Sequence, residues 1–475
     1  MNNPMNDIEW VTVCGQSDVA PGAMLAIDHA DLPPIAIFNV DGTLHATSNI
    51  CTHNVAILTD GTFSGCIVEC PLHGGAFDVT SGEAVAYPCE TVLKIFPIAV
   101  VNGDVRVGKQ ARCAGAAPAL ADTIALQQRV PNPEMSASST YSKRVRIAGS
   151  SDVFTVGPGD TLLQGALRAG IGFPYECNSG GCGSCIFELV EGQVNDQWPD
   201  APGLSSKARA SGRLLACQSV PGEDCVVRVR TNARYVTPVQ PIRRTVQFES
   251  ITNLTPDMAL LRFRGEGAAA FLPGQYALLR LDNGQQMRAY SMSNLPNENG
   301  TWEFIIKRVP TGHLTPQLHA LTVGNVAATL DGPYGIAFLQ TNAERDVLCI
   351  AGGAGLSPMM SILRGAAADQ RFDERQLHLF YGGRSALDMC AARLLADDPT
   401  LAERVQYTSA ISTVDDNWQG EQGFIHDVVA RKLGSQLKDF EIYLSGPPVM
   451  VDVLQTMLLI DYHVPSAQIH FDRFC

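Results

Sequence analysis

The sequence predicts a multidomain protein in which three strand-rich units precede one α/β unit. Three observations lead there. The chain has 475 residues, room for about three or four ordinary domains. Short strands bounded by turn residues fill it to about residue 335, whereas from Val347 apolar strands alternate with helical stretches. Two unrelated cysteine-rich loops also punctuate the first half, each in its own strand-rich setting.

Residues 1–108 read as a small all-β domain. Ile35 to Val40 is a strand ended by Asp41-Gly42, and Val92 to Val101 is another, followed by Asn102-Gly103 and a strand reaching Val107. Both dipeptides are hairpin-turn signals. Residues 109–140 are rich in Ala, Ser, Pro and Gln and read as a linker, with one short helix over Leu120 to Arg129. Residues 141–232 hold strands at Val145–Ile147, Val153–Val156, Ile186–Val190 and Val226–Val229 and a helix from Thr161 to Ala169, capped by Thr161 or Asp160. Residues 240–338 read as an antiparallel β-barrel. Residues 345–475 carry the strands VLCIA, LHLFYG, VQYTSA and EIYLSG with helices between, the pattern of a parallel sheet with crossovers.

Composition narrows the function. Lys and Arg number 34 against 48 Asp and Glu, a net charge of −14, which argues against nucleic acid as a partner. No apolar run is long enough to span a bilayer, so no membrane association is expected. The N-terminus has neither a basic region nor an apolar stretch, so the expected location is cytoplasmic. In that setting 14 cysteines point to metal ligation more than to disulfides.

The first constellation is Cys51-Thr52-His53, sixteen residues, then Cys70-Pro71-Leu72-His73. Two thiolates and two imidazoles suit a tetrahedral zinc or a [2Fe–2S] cluster with both Cys on one iron and both His on the other. A C-x-H pair reaches two irons more easily than one small ion. The pattern closely resembles Rieske ferredoxins, and the likeness continues through Gly74-Gly75-Ala76-Phe77-Asp78 and Thr80-Ser81-Gly82. It implies that Cys51 and Cys70 bind one iron and His53 and His73 the other. The flanking residues place it with the low-potential ferredoxins that serve bacterial oxygenases, and Cys66 and Cys89 read as core residues. Residues 1–110 hold twelve acidic and three basic residues, either a solvated face or a docking surface for a basic partner.

The second constellation is Cys177, Cys182 and Cys185 in a glycine-rich loop, with Cys217 following 32 positions later. The C-x4-C-x2-C…C spacing is that of a plant-type [2Fe–2S] site. Glycines let successive N–H groups face an anionic cluster. Residues 143–230 resemble plant-type ferredoxins, which implies a β-grasp fold. Arg213 to Gln218 match the family's fourth-ligand context, which leaves Cys225 out of the ligand set.

Arg288-Ala289-Tyr290-Ser291, preceded by Pro273-Gly274-Gln275-Tyr276 and followed by Lys307 and Gly312-His313-Leu314-Thr315, resembles the ferredoxin–NADP⁺ reductase superfamily from about 240 to the end. The resemblance implies that Arg288 meets an FAD pyrophosphate, Tyr290 packs on the isoalloxazine and Ser291 bonds near its N5. It also implies that Lys307 and the Gly312–Thr315 turn (Gly312, Leu314 and Thr315) belong to the cofactor site, with N–H groups facing phosphate. Gly352 to Pro358 form a glycine turn between strand and helix, where open α/β sheets bind nucleotides; Gly353, Gly355, Leu356 and Ser357 are its candidate contacts. Ser445-Gly446-Pro447-Pro448 resembles the superfamily's C-G-P-P loop beside the nicotinamide, so Gly446 and Pro447 join that site. Ser445 stands where relatives place Cys, and Ser291 and Ser445 are the candidate catalytic pair. Relatives that prefer NADPH place Ser and Arg at Thr408 to Ser412 for the 2′-phosphate; the Arg is missing here, which favours NADH, although Arg384 in Tyr381-Gly382-Gly383-Arg384 is a second candidate for an adenosine phosphate. Phe474 in the tail Phe471 to Cys475 resembles the aromatics that shield a flavin, or it serves C-terminal packing.

These resemblances imply a fold of an all-β Rieske domain, a β-grasp ferredoxin domain, an antiparallel β-barrel flavin domain and an α/β parallel-sheet nucleotide-binding domain. The implied activity is that of the reductase component of Rieske-type ring-hydroxylating oxygenases with its ferredoxin fused at the N-terminus. Two [2Fe–2S] clusters, FAD and NADH are its cofactors, and a separate terminal oxygenase, docking on the acidic N-terminal domain, is its partner. A nicotinamide releases two electrons together, a cluster accepts one, and a flavin mediates between them. Class potentials of about −400 mV for plant-type and about −150 mV upward for Rieske centres make the step between the clusters downhill by about 6 kcal/mol. A diiron or heme monooxygenase as acceptor, and a Rieske-like domain used only for docking, remain alternatives.

Overall fold

The structure is a computed structural model that describes residues 8–111, 141–281, 287–322 and 327–474. The predicted helix Leu120 to Arg129 lies outside them. The described residues fall into two compact units, one ahead of Lys143 together with Gly157–Gly159, the other Lys143–Val156 with the chain from Asp160 on.

The first unit is built from three antiparallel sheets. One joins Trp10–Gly15, Asp104–Gly108 and Ile98–Val101; a second joins Met24–Ile27, Ile35–Val40, Thr43–Ser48 and Ile95–Phe96; a third joins Thr62–Ser64, Ile67–Glu69, Ala76–Asp78 and Ala84–Ala86. Both predicted turns form two-residue hairpins. Val40 faces Thr43 across Asp41 (φ 49°) and Gly42 (φ 91°), and Val101 faces Asp104 across Asn102 (φ 54°) and Gly103 (φ 87°). These left-handed pairs match the twist of the flanking strands. The predicted strand Val92 to Val101 is corrected. Pro97, which has no N–H to give a ladder, separates Ile95–Phe96 from Ile98–Val101, and the two halves join different sheets. Strand Ile35–Val40 is buried on both faces, Ala36 and Phe38 on the side of the metal-site loops and Ile35 and Ile37 against Phe96, Val105 and Val107.

The second unit begins with a five-stranded sheet in the order Val153–Val156, Lys143–Ile147, Cys225–Arg228, Ile186–Glu191, Arg213–Leu215. Only the pair Lys143–Ile147 with Cys225–Arg228 is parallel, and helix Leu162–Arg168 covers one face, the β-grasp arrangement. Thr161 caps that helix in a reciprocal box with Gln164. The last strand starts one residue earlier than its apolar run suggested, at Cys225.

A six-stranded antiparallel sheet follows: Arg288–Ser291, Tyr276–Leu281, Ala327–Tyr334, Ile242–Asn253, Met258–Gly265, Thr301–Lys307. A bridge between Met292 and Phe304 joins its first edge to its last and closes the barrel around Val246, Phe263, Leu279, Trp302 and Phe304.

The C-terminal sheet is wholly parallel, in the order Glu421–Gln422, Val405–Ile411, Leu377–Gly383, Asp346–Gly352, Phe440–Gly446, Ile469–Arg473. The chain winds outward from Asp346–Gly352 in one direction and then restarts on its other side with Phe440–Gly446. The carboxyl ends of these two strands flank the switch point where such sheets leave a crevice for ligands.

Candidate redox centres

The cysteine–histidine residues sit on two loops of the first unit. A bridge between Ile50 and Ile57 closes one, with the Cys51 N–H donating to the Ala56 carbonyl at 3.0 Å. The other fills the hairpin between Ile67–Glu69 and Ala76–Asp78, where the Cys70 N–H donates to Gly75 at 2.8 Å and Gly74 turns at φ 68°. Both thiols and His73 are buried, and the rings of His53 and His73 stand 5.0 Å apart and nearly perpendicular. The Cys51 thiol is held well below the ordinary thiol range by the Cys70 and Cys89 thiols turned toward it and by the His53 and Asn54 N–H groups. Its anionic form, the one a metal binds, is thus favoured. Among the described residues no three His, Cys, Asp or Glu side chains close on one ion position. The four candidate ligands stand as a thiol pair and an imidazole pair, a donor set that fits two irons better than one zinc.

Cys66 and Cys89 differ from each other. Cys66 is not a core residue: it is partly exposed, and its thiol faces the Asp78 carboxylate at 3.4 Å. Cys89 is buried as expected, but its sulfur lies 3.5 Å from Cys51 Sγ, a contact that no spacing rule announces.

The four-cysteine site is one wrapped loop plus a distant residue. Asn178, Gly180 and Gly183 all take positive φ (50°, 88° and 80°). A Cβ on Gly183 would lie 2.5 Å from the Gly203 carbonyl oxygen, and Gly203 donates its N–H to Gly180 at 2.9 Å. Within this wrapped loop the Cys182 thiol lies beside Cys177. The Ala216 N–H donates to the Cys185 carbonyl at 3.0 Å and places Cys217 beside Cys185. Donors already face the thiols, with Ser179 N–H 3.4 Å from Cys177 Sγ and Gln218 Nε2 3.6 Å from Cys217 Sγ. The Asn178 amide and Ser184 hydroxyl are buried with no protein partner among the described residues. Three buried thiols and a half-buried one, Cys182, with unspent donors around them suit an anionic cluster. Cys182 and its hydrogen bonds lower Cys177 to about 6. Cys225 turns away, toward the carbonyls of Gln193 and Glu223.

Part of the remaining candidate set, Ser291, Gly355, Ser357, Ser445 and Gly446, gathers at the switch point. Ser357, at the start of helix Leu356–Ala368, donates its hydroxyl to the Ser291 carbonyl at 2.7 Å and accepts the Ile305 N–H. The nucleotide-binding sheet is thereby fixed to the strand of Arg288, Tyr290 and Ser291. Gly355 approaches Ser445 so closely that a Cβ would sit 2.1 Å from its carbonyl oxygen. Gly353 turns at φ 56° with Lys307 beside it, and Gly446 lies at φ 153°. The Ser445 hydroxyl is fully buried and without a protein partner among the described residues. Lys307 pairs with Asp257 at 3.1 Å. Thr315 closes the Gly312–Leu314 turn by accepting the Val309 N–H at 3.0 Å, and the short helix Thr315–His319 begins there, with Pro316 next. Phe474 lies against the carboxyl end of its sheet, its N–H directed at Gly446. Arg288 lies over the Trp198 ring, 5.7 Å from its centroid. Arg384 is held by both oxygens of Asp388, which counters the charge it would offer a phosphate.

Sequence reasoning missed Asp472. It neighbours Ser445 across the parallel strands, and its carboxylate accepts the Ser291 hydroxyl at 3.1 Å. Burial pushes its carboxyl up to about 7. The tail had drawn attention for its aromatics, and only strand pairing could reveal the carboxylate between them. Trp198, packed between the Gly180 turn and Arg288, was missed for the same reason.

Comparison with known proteins agrees with this geometry. Four family descriptions match in succession: Rieske [2Fe-2S] domain at residues 9–97, 2Fe-2S iron-sulfur cluster binding domain at 145–222, oxidoreductase FAD-binding domain at 245–338 and oxidoreductase NAD-binding domain at 349–456. A ferredoxin–NAD(P)⁺ reductase of Metapseudomonas resinovorans is 45% identical over 322 residues, 67% of this chain and 96% of that relative. The xylene/toluene monooxygenase electron transfer component of Pseudomonas putida is 32% identical over 349 residues, 73% of this chain and 95% of its own length. The solved ferredoxin reductase in carbazole 1,9a-dioxygenase superposes with a TM-score of 0.66 at 39% identity, covering 70% of this chain and 99% of that structure.

Proposed function

We propose, for a chain that belongs to the ferredoxin–NAD(P)⁺ reductase family and carries a Rieske domain ahead of it, that electrons pass from NADH to FAD, to the plant-type cluster, to the Rieske cluster and then to a separate terminal oxygenase that hydroxylates aromatic rings. The observation that carries this reading is the presence on one chain of a four-thiolate site and a two-thiolate, two-imidazole site, together with one flavin and one nicotinamide domain. Thiolate-only clusters hold their reduced form at lower potential than imidazole-ligated ones, so the order follows from the ligands.

In this reading Cys51, Cys70, His53 and His73 hold the Rieske iron pair, and Cys177, Cys182, Cys185 and Cys217 the other. When bound, the flavin accepts a hydride and releases electrons singly. The chain's own residues do the rest. Arg288 and the Gly312–Thr315 turn bind the flavin phosphates, and Tyr290 covers the ring. Ser291, whose hydroxyl donates to Asp472 and whose carbonyl accepts from Ser357, is held in place at the reacting edge. The glycines at 353, 355 and 446, with Leu356 and Pro447, admit the nicotinamide, and Ser445, fully buried, backs that approach. Phe474 lies at the mouth. Removal of Asp388 from Arg384 is the change expected to relax the preference for NADH. The domain limits that go with this reading are 1–108, 141–232, 240–338 and 345–475, joined by the linker 109–140, and a cytoplasmic location goes with it. The oxygenase docks on the acidic N-terminal domain, whose net charge over residues 1–110 is −9.

The monooxygenase systems among the relatives support a second acceptor class, a diiron or heme monooxygenase, with the same internal wiring. His73→Ala tests the exit. The relay predicts that oxygenase turnover disappears while NADH oxidation by ferricyanide persists; unchanged turnover would reduce the Rieske domain to a docking module.

A further inference from the structure

The β-grasp sheet and the flavin barrel meet within one compact unit, and their contact is unusually charged. Arg168, the last residue of helix Leu162–Arg168, grips Asp160 with Nε and Nη2 at 3.0 and 3.1 Å and reaches across to Asp331 of the barrel at 2.7 Å. Arg243, on the barrel, answers in reverse: it bonds Asp331 at 3.1 Å and crosses to Asp160 at 2.6 Å. Two cations and two anions thus close a ring in which each arginine touches both carboxylates. Asp331 is fully buried, and its other oxygen accepts the Tyr334 hydroxyl at 2.8 Å. Arg168 further donates to the Pro241 carbonyl, and Gln240 donates to the Arg168 carbonyl.

Each side of the ring leads to a redox site. On one side, helix Leu162–Arg168 is tied to the cluster: the Leu163 N–H donates to the Ala216 carbonyl at 3.1 Å, next to Cys217. On the other, Asp331 lies opposite Leu278, in the strand that pairs with Arg288–Ser291. A second pair of ties joins the same two bodies. Tyr276 donates to the Glu176 carbonyl at 2.5 Å, next to Cys177, and Gly335 donates its N–H to the Tyr175 hydroxyl at 3.0 Å. These two are neutral hydrogen bonds at the loop itself. The charged ring is the part that resists sliding, because moving either domain separates buried opposite charges.

We propose that Asp160, Arg168, Arg243 and Asp331 form a lock that fixes the plant-type cluster loop against the flavin strand, and that Arg168 and Arg243 are positioning residues for the electron step between those two centres. This rests on the relay proposed above. It adds that the domain pair is held rigidly for that step and does not sample a loose tether. Charge balance explains why the ring tolerates partial burial: each carboxylate has two cations beside it.

The test uses the full cofactor-loaded chain under anaerobic conditions, mixed with NADH and followed separately at flavin and cluster absorbance. Arg168→Gln is expected to leave flavin reduction within about twofold of the parent and to slow cluster reduction by about tenfold or more, because small misplacements act steeply on reacting partners. Arg168→Lys is expected to recover part of that loss. Asp160→Asn keeps volume and removes only charge, so it decides the question if Arg168→Gln does not retain its cofactors. Cluster reduction at the parent rate in variants with full iron and flavin content would overturn the lock. A parent protein whose four-cysteine cluster is never reduced by NADH would instead overturn the relay, and the two failures are therefore distinct.

Discussion

The two iron sites solve one problem with opposite architectures. The four-cysteine site lies on a loop whose backbone is forced into left-handed conformations at Asn178, Gly180 and Gly183, so that a chain segment folds around the cluster and supplies it with N–H donors. The cysteine–histidine site uses two ordinary hairpin loops, each offering one Cys and one His, and only Gly74 among its loop residues has positive φ. The first site surrounds an anionic group; the second holds a less anionic group on a loop pair, with His53 the more exposed of its two imidazoles. Ligand charge and loop shape therefore change together. Enclosure suits a centre that receives electrons inside the protein, and presentation suits one that hands them to a partner.

Removing one thiolate sharpens this contrast most. Cys185→Ala is expected to abolish reduction of the Rieske centre by NADH, a loss of several orders of magnitude, while flavin reduction in the stopped-flow record persists. Normal Rieske reduction would mean that the flavin feeds that centre directly. Gly183→Ala comes next. It combines φ 80° with a 2.5 Å approach to the Gly203 backbone, and the left-handed conformation alone costs about 1–2 kcal/mol. Iron content and thermal midpoint should both fall. Gly75→Ala, by contrast, would meet the Cys89 side chain, so a milder loss confined to the Rieske centre is expected.

A pH profile probes the flavin side of the comparison. Asp472, held at about 7 by burial, is neutral below that value and anionic above it. The anion would oppose hydride arrival, so flavin reduction should slow as pH rises through 7 in the parent and stay level in Asp472→Asn. An unchanged profile in the variant would remove Asp472 from the account. The smallest expected effect belongs to Cys89→Ala. With Cys51 as a thiolate, Cys89 is the donor of the 3.5 Å contact, and losing a donor to a ligand sulfur lowers the potential. A drop of less than about 59 mV, tenfold in the one-electron ratio, is expected in a redox titration of the Rieske signal. No drop would mean that the sulfurs are merely packed together.

The parts legible in the sequence were those governed by local rules. Asp41-Gly42 and Asn102-Gly103 announced hairpins because few residues accept that backbone, and Thr161 announced a helix start because its hydroxyl reaches Gln164 N–H. The ligand spacings and the glycines before Leu356 were equally readable. What escaped depends on distant contacts. Cys89 and Cys51 lie 38 positions apart, Asp472 and Ser291 181 apart, and Arg168 and Asp331 163 apart, and no periodicity joins such pairs. Val92 to Val101 misled for the opposite reason: its apolar content suits a strand, but Pro97 divides it between two sheets.

The central claim is a downhill path between two differently ligated iron pairs. An EPR-monitored redox titration of the intact protein tests it most directly, since both centres report in one sample. The account predicts two distinct [2Fe–2S] signals, with the histidine-ligated centre reduced at the higher potential. A histidine-ligated centre reduced at the lower potential would contradict it.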